Sequence, residues 1–268
     1  MLDVRSDEVA PHQIVFEAFG VAARVCSNSR ELLAQVEPVM PPGWRSCSPE
    51  AASERLGILR EEDGTYTVFK GPARVLQGQG LQLSLVVLEG QLRGYVAINA
   101  PDKTFIHAGA VADGERATIF PGHSFSGKTT LTAAMVRAGA TYLSDEFAVL
   151  DEDGRVHPYP KSLSLRSEAG TSQVNTHAHE LGGVVAEESL PLGLAVLTSY
   201  RAGAEWRPRS LSPGEGALML ISHAVPARTR PQATMRAITR ALEPALILAG
   251  ERGEADDLAD ELLRRVPA

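Results

Sequence analysis

Gly122, His123, Ser124, Phe125, Ser126, Gly127, Lys128 and Thr129 match the spacing G-x-x-x-x-G-K-[ST] at every fixed position. Such a run is suited to holding phosphate. Its glycines let backbone N–H groups close around phosphate oxygens, its lysine neutralises them, and its hydroxyl can ligate magnesium. Thr130 lies in a helix predicted from Lys128 to Ala138 and stopped by Gly139, and the positive N-terminal end of that helix faces the same oxygens. Inside the loop, His123 and Ser124 are assigned position and not chemistry. Only four lysines occur in the whole chain, Lys70, Lys103, Lys128 and Lys161, so lysine abundance does not explain the match.

A phosphate loop alone does not separate a switch GTPase, a motor ATPase and a kinase. Its neighbours narrow the choice. Asp145 and Glu146 stand at the end of the next predicted strand, Thr141 to Ser144, and His107 opens the apolar segment before the loop. If both strands end at the loop, these groups converge on a γ-phosphate, where a carboxylate can serve as metal ligand or acid/base group. The plainer alternatives are a turn or cap role for Asp145 and a buried, satisfied histidine at 107. Lys161 and Arg166, in the stretch YPKSLSLR, could stabilise transferring charge or be surface cations.

The segments IHAGAV, PGHSFSGKTT and YLSDEFAVL together resemble the C-terminal domain of the HPr serine kinase family, whose fold is similar to the phosphate-loop core of phosphoenolpyruvate carboxykinase. The resemblance covers residues 103 to 166, is weak from 190 to 250 and is absent in the N-terminal third. It implies an α/β (α+β) fold and an ATP- and Mg²⁺-dependent phosphotransferase with the nucleotide on Gly122 to Thr130. It further implies Lys128 on the β/γ-phosphates, Thr129 and Glu146 at the metal, and Asp145 both near the metal and taking the acceptor's hydroxyl proton. His107 pairs with Asp145 in that scheme, and Arg166 joins the catalytic group. Two positions depart from the family pattern: Glu146 stands where a second Asp is usual, and Phe125 where a Gly is usual. The C-terminal signature of true HPr kinases is missing, which argues against HPr as the acceptor. Stand-alone relatives that accompany peptide-modifying clusters are closer in length. They point to Ser on a peptide or protein, such as a precursor peptide, and the resemblance admits a homo-oligomer.

Two readings of other classes stay open: a regulatory module that binds nucleotide without transfer, and a small-molecule kinase with residues 167 to 190 as a lid. ATP and GTP are not distinguished, because base recognition lies outside the loop.

Bulk composition sets further bounds. With 26 basic and 33 acidic residues the chain carries a net charge of −7, which argues against coating nucleic acid or anionic membrane. Cys26 and Cys47 have neither the number nor the spacing of a disulfide framework or zinc site. The N-terminus lacks signal-peptide character and no apolar run is long enough to span a bilayer, so a cytoplasmic protein is expected. His177, His179 and Glu180 resemble a metal triplet in composition, but they fall in a polar stretch without a further ligand set. Seven arginines between 201 and 240 face only Glu205 and Glu215, a charge that could attract an acidic peptide or form a solvated face.

The elements that must position these groups follow from periodicity. Strands are expected in 13–26 and 56–69, the latter a hairpin around Asp63 and Gly64, with a short helix from Asn28 to Val36 between them. Leu81, Leu85, Leu88, Leu92 and Tyr95 share one helical face. The loop follows a strand, Arg116 to Phe120. After it come strands at 147–150 and 155–159, a long polar loop over 167–190, a buried strand at 192–200, a helix at 213–223, a strand at 245–249 and a helix at 256–265. Residues 1–98 are expected to form a small mixed α/β module, and 99–268 the phosphate-loop domain.

Overall fold

A computed structural model describes residues 9–122, 126–166 and 173–263. The chain divides into two compact units, Met1–Pro101 and Asp102–Ala268. The fold is mixed α/β, with sheets and helices in each unit.

The first unit begins with β1 (His12–Ala18) and β2 (Val21–Ser27), a hairpin turned at Phe19 and Gly20, both of which take positive φ. Next comes helix α1 (Arg30–Val36), whose N-cap is Ser29 and not the expected Asn28: the Ser29 hydroxyl accepts from the Leu32 amide. Strand β3 (Arg45–Ser46), β4 (Arg55–Arg60), β5 (Tyr66–Lys70) and β6 (Ala73–Gln79) complete a sheet of order β3-β1-β2-β4-β5-β6. Helix α2 (Leu81–Asn99) packs on this sheet through Ser84, Leu88, Leu92, Tyr95 and Val96. The expected stripe is therefore right in its C-terminal half, whereas Leu81 and Leu85 are only partly buried.

The second unit is a three-layer arrangement. Its strands are β7 (Thr104–Asp113), β8 (Arg116–Pro121), β9 (Thr141–Ser144), β10 (Phe147–Leu150), β11 (Arg155–His157), β14 (Leu190–Tyr200), β15 (Arg209–Ser210) and β16 (Leu246–Arg252). A separate two-stranded ribbon pairs β12 (Leu163–Arg166) with β13 (Gln173–Thr176). The main sheet runs β11-β10-β7-β8-β14-β16-β15, with β9 also paired to β7. Strands β8, β14 and β16 are mutually parallel, and the pairings of β7 with its neighbours are antiparallel.

Burial on both faces explains the near-continuous apolar sequence of β14. Leu194 and Val196 face α3 (Lys128–Arg137) and α6 (Ala255–Leu263), whereas Ala195 and Leu197 face α4 (Pro213–Ile221) and α5 (Pro231–Leu242). Helix α5 was not expected from the sequence. Nor was β13: residues 173–176 form a strand and Ala178–Leu181 a short 3-10 turn, where the sequence suggested one polar loop from 167 to 190. Among the described residues no helix is long and apolar enough to cross a membrane.

Candidate active site

Strand β8 delivers the chain to Gly122, and α3 begins at Lys128. Both glycines that frame the loop are required sterically. A Cβ on Gly122 would lie 2.4 Å from Ser126 Oγ. Gly127 has φ of 84°, a left-handed conformation that favours glycine, and a Cβ there would lie 2.4 Å from Arg252 Nη2. Ser126, Gly127, Lys128, Thr129 and Thr130 all line one cavity of about 920 Å³, a volume in the range of small-molecule sites. His123, Ser124 and Phe125 lie outside the described residues.

The Lys128 ammonium donates to the Gly122 carbonyl at 2.9 Å, so the cation is folded back over the start of its own loop. Burial lowers its pKa, while Asp145 and Glu146 nearby pull it upward. Those two carboxylates occupy the tight turn between β9 and β10. The turn is shaped by Ser144, whose hydroxyl accepts from the amides of Glu146 and Phe147 at 3.1 and 3.0 Å.

Asp145 points toward the helix N-terminus, where the Thr129 hydroxyl hydrogen-bonds to its carboxylate. Its Oδ1 is enclosed and, among the described residues, has no hydrogen-bond partner. Burial raises the Asp145 pKa to about 7; the Thr129 bond opposes this, and Glu146 adds to it, while Lys128 and Lys161 pull the other way.

His107 is half exposed, and its Nδ1 lies 4.0 Å from Glu146 Oε1. Glu146, rather than Asp145, is therefore the carboxylate that faces His107, and register explains the difference from the expected pairing. Phe147 sits directly opposite His107 across β10 and β7, which brings the preceding residue alongside the imidazole and leaves Asp145 one step further toward α3. The two rings are 4.8 Å apart. On the other side of His107, its backbone N–H donates to the carbonyl of His223 at 2.9 Å, placing His223 and Ser222 on the cavity wall. Lys161 lines the same cavity. Arg166 ends β12, and its side chain lies outside the described residues.

The remaining candidates have ordinary explanations. Glu180 accepts from the backbone N–H of His177 at 2.7 Å, a capping contact, and the His177 and His179 rings stack at 5.5 Å. Among the described residues no group of three His, Cys, Asp or Glu side chains is placed to hold a metal in the manner of a zinc cluster. The arginine-rich stretch is largely paired: Arg201 with Glu251, Arg207 with Glu205, Arg209 with Glu215 and Arg240 with Glu243.

Sequence reasoning missed several cavity residues, among them Tyr200, Arg252 and Glu254. Tyr200 and Arg252 close β14 and β16, the two strands parallel to β8. That position was the available signal, because ligands of open α/β sheets bind outside the carboxyl ends of parallel strands.

No protein-family model matches the chain, and no curated protein does. Among solved structures, the chain is similar to the HPr(Ser) kinase/phosphatase from Coxiella burnetii, at 12% identity over 60% of this chain and 93% of that one, with a TM-score of 0.35.

Proposed function

We propose that the chain is an ATP- and Mg²⁺-dependent phosphotransferase that phosphorylates a hydroxyl, with Ser on a peptide or protein as the acceptor. One observation carries the reading. A phosphate loop at a helix N-terminus shares a single cavity with an adjacent pair of carboxylates, one of them holding an enclosed oxygen that has no hydrogen-bond partner among the described residues. Such a combination suits phosphoryl transfer, which depends mainly on charge neutralisation, alignment and one carboxylate near the attacking oxygen. Serine as the acceptor is supported by the motif resemblance, not by a cavity contact.

Hard oxygen donors suit magnesium, and Thr129, Asp145 and Glu146 supply them at the loop's edge. Among the described residues, the enclosed Oδ1 of Asp145 has no hydrogen-bond partner, which fits such a role. Bound there, the metal would neutralise charge on the β- and γ-phosphate oxygens. Lys128 exchanges the Gly122 carbonyl for those oxygens. The acceptor oxygen forms its bond to the γ-phosphorus as the bond to the departing nucleoside diphosphate breaks, and Asp145 takes the hydroxyl proton. Glu146 holds the far side of the carboxylate pair, facing His107.

Mass spectrometry of a peptide pool incubated with γ-¹⁸O-labelled ATP, Mg²⁺ and the protein tests this reading. Labelled phosphate is expected on a seryl peptide, absent with Lys128→Ala. Asp145→Asn should slow transfer by at least about 100-fold and keep ATP binding. Lys128-dependent ATP binding with no labelled acceptor would overturn the transfer reading in favour of a nucleotide sensor.

A further inference from the structure

The cavity has a second charged end that the transfer chemistry does not use. Arg252 closes β16 at only 3% exposure; the charge of Glu254 acts on it, yet among the described residues no carboxylate lies within ion-pair distance. Its Nη1 donates to the Gly253 carbonyl at 3.0 Å and its Nη2 to the Gly127 carbonyl at 3.1 Å, while Nε has no hydrogen-bond partner. The guanidinium carbon stands 5.4 Å from the centroid of the Tyr200 ring. That ring is 51% exposed, and its hydroxyl donates to Glu254 Oε1 at 2.9 Å, which fixes its edge.

A buried guanidinium without a direct ion pair is costly to maintain, and Glu254, engaged by the Tyr200 hydroxyl, offsets that cost only from a distance. The N-terminus of α3, with its partial positive charge, lies beside the guanidinium, and Lys128 stands in the same cavity. Three positive features thus surround one space.

Sheet order assigns a direction to that space. Strand β8 carries the loop. His107 on β7, with the β9–β10 turn bearing Asp145 and Glu146, lies to one side of β8, whereas β14 and β16, bearing Tyr200 and Arg252, lie to the other. For a nucleoside triphosphate with its γ-phosphate at the carboxylates, Tyr200 and Arg252 therefore stand on the opposite side of the loop strand.

We propose that Arg252 binds the α-phosphate of the nucleotide and that the Tyr200 ring beside it receives the base, so that the nucleotide lies across the loop with its γ-phosphate toward Asp145 and Glu146. This deepens the phosphotransferase reading and rests on it. Guanidinium binds phosphate oxygens through paired N–H donors, and a half-exposed phenol ring held at its edge is a stacking surface for a purine. The carbonyl contacts of Arg252 keep it oriented at the loop's exit, and each Nη carries a second N–H beyond the one its carbonyl takes.

Titration calorimetry with ATP, ADP and pyrophosphate on the full chain tests the proposal. Pyrophosphate occupies the loop without an α-phosphate or a base. Arg252→Gln is expected to weaken ATP and ADP by at least about tenfold, the value of a charge-assisted hydrogen bond, and to leave pyrophosphate unchanged. Tyr200→Ala, at an exposed position, is expected to weaken both nucleotides several-fold and spare pyrophosphate. Equal weakening of all three ligands would mean that Arg252 only pins Gly127, and would overturn the assignment. Unchanged nucleotide affinity would overturn it too. If Arg252→Gln does not fold, Arg252→Lys, which keeps the charge but loses the fork, is expected to show the same selective loss in smaller degree. Failure of the wild-type protein to bind ATP would instead remove the phosphotransferase reading itself, so the two failures are distinct.

Discussion

Asp145 is neutralised from three directions, by the Thr129 hydroxyl and by Lys128 and Lys161, and burial still raises its pKa to about 7. Its ordinary value is 3.8, so between these limits the folded protein holds a proton that the unfolded chain has released. The stability this provides is full below the lower value and is lost as pH rises through the upper one. In metal-free protein, Asp145→Asn should therefore raise Tm by roughly 2–8 °C at pH 8, with a smaller gain at pH 5. Calorimetry across that range checks it; a gain independent of pH would count against the buried carboxylate. At this scale the sequence was informative where chemistry follows from residue type at fixed spacing. Gly122, Gly127, Lys128 and Thr129 could be read directly, and so could Asp145 at the strand end. The partner of His107 could not, because it depends on which residue the β10 register sets opposite the imidazole. Arg252 was equally hidden, since nothing in LILAGER shows that this strand runs parallel to the phosphate strand two places away.

Helix α3 owes its place to an absence on β7. A Cβ on Gly109 would lie 2.3 Å from Thr132 Oγ1, so the helix that carries Lys128 and Thr129 approaches the sheet as closely as a bare backbone permits. Gly109→Ala should push the first turns of α3 outward. The expected cost is about 1–3 kcal/mol of stability by overpacking, with a weaker nucleotide site to match. Denaturant unfolding together with ATP titration measures both; normal affinity in a destabilised variant would separate the helix position from the site. Long apolar strands and capped helices were legible as elements: α3 ends one residue before its predicted limit, and Gly139 follows with φ of 105°. Helix α5 buries Thr234, Ala237, Ile238, Ala241 and Leu242 on one face, with its arginines outside that set. The spacing is helical and the segregation of apolar from charged residues is strong, so this helix was legible in the sequence and was passed over. Strand β6 escaped as an edge strand with little burial and a glycine inside it.

The second unit has its own core on both faces of its sheet, and every described residue lining the phosphate cavity belongs to it. Residues 102–268 expressed alone should therefore fold and bind ATP within about threefold of the full chain, as an independent domain does. Calorimetric titration of that fragment decides the point, and loss of binding would give the first unit a part in the site. One feature of the second unit also bears on how the protein is made. The cavity's arginine wall comes from β16, more than a hundred positions after the loop, and β16 pairs in parallel with β14. Until the ribosome has delivered that strand, β14 presents an unpaired apolar edge, and such edges recruit other chains. A message cut short before residue 246 would yield aggregates in place of a weakened enzyme, and nucleotide could not rescue them, because half of its binding wall would not yet exist.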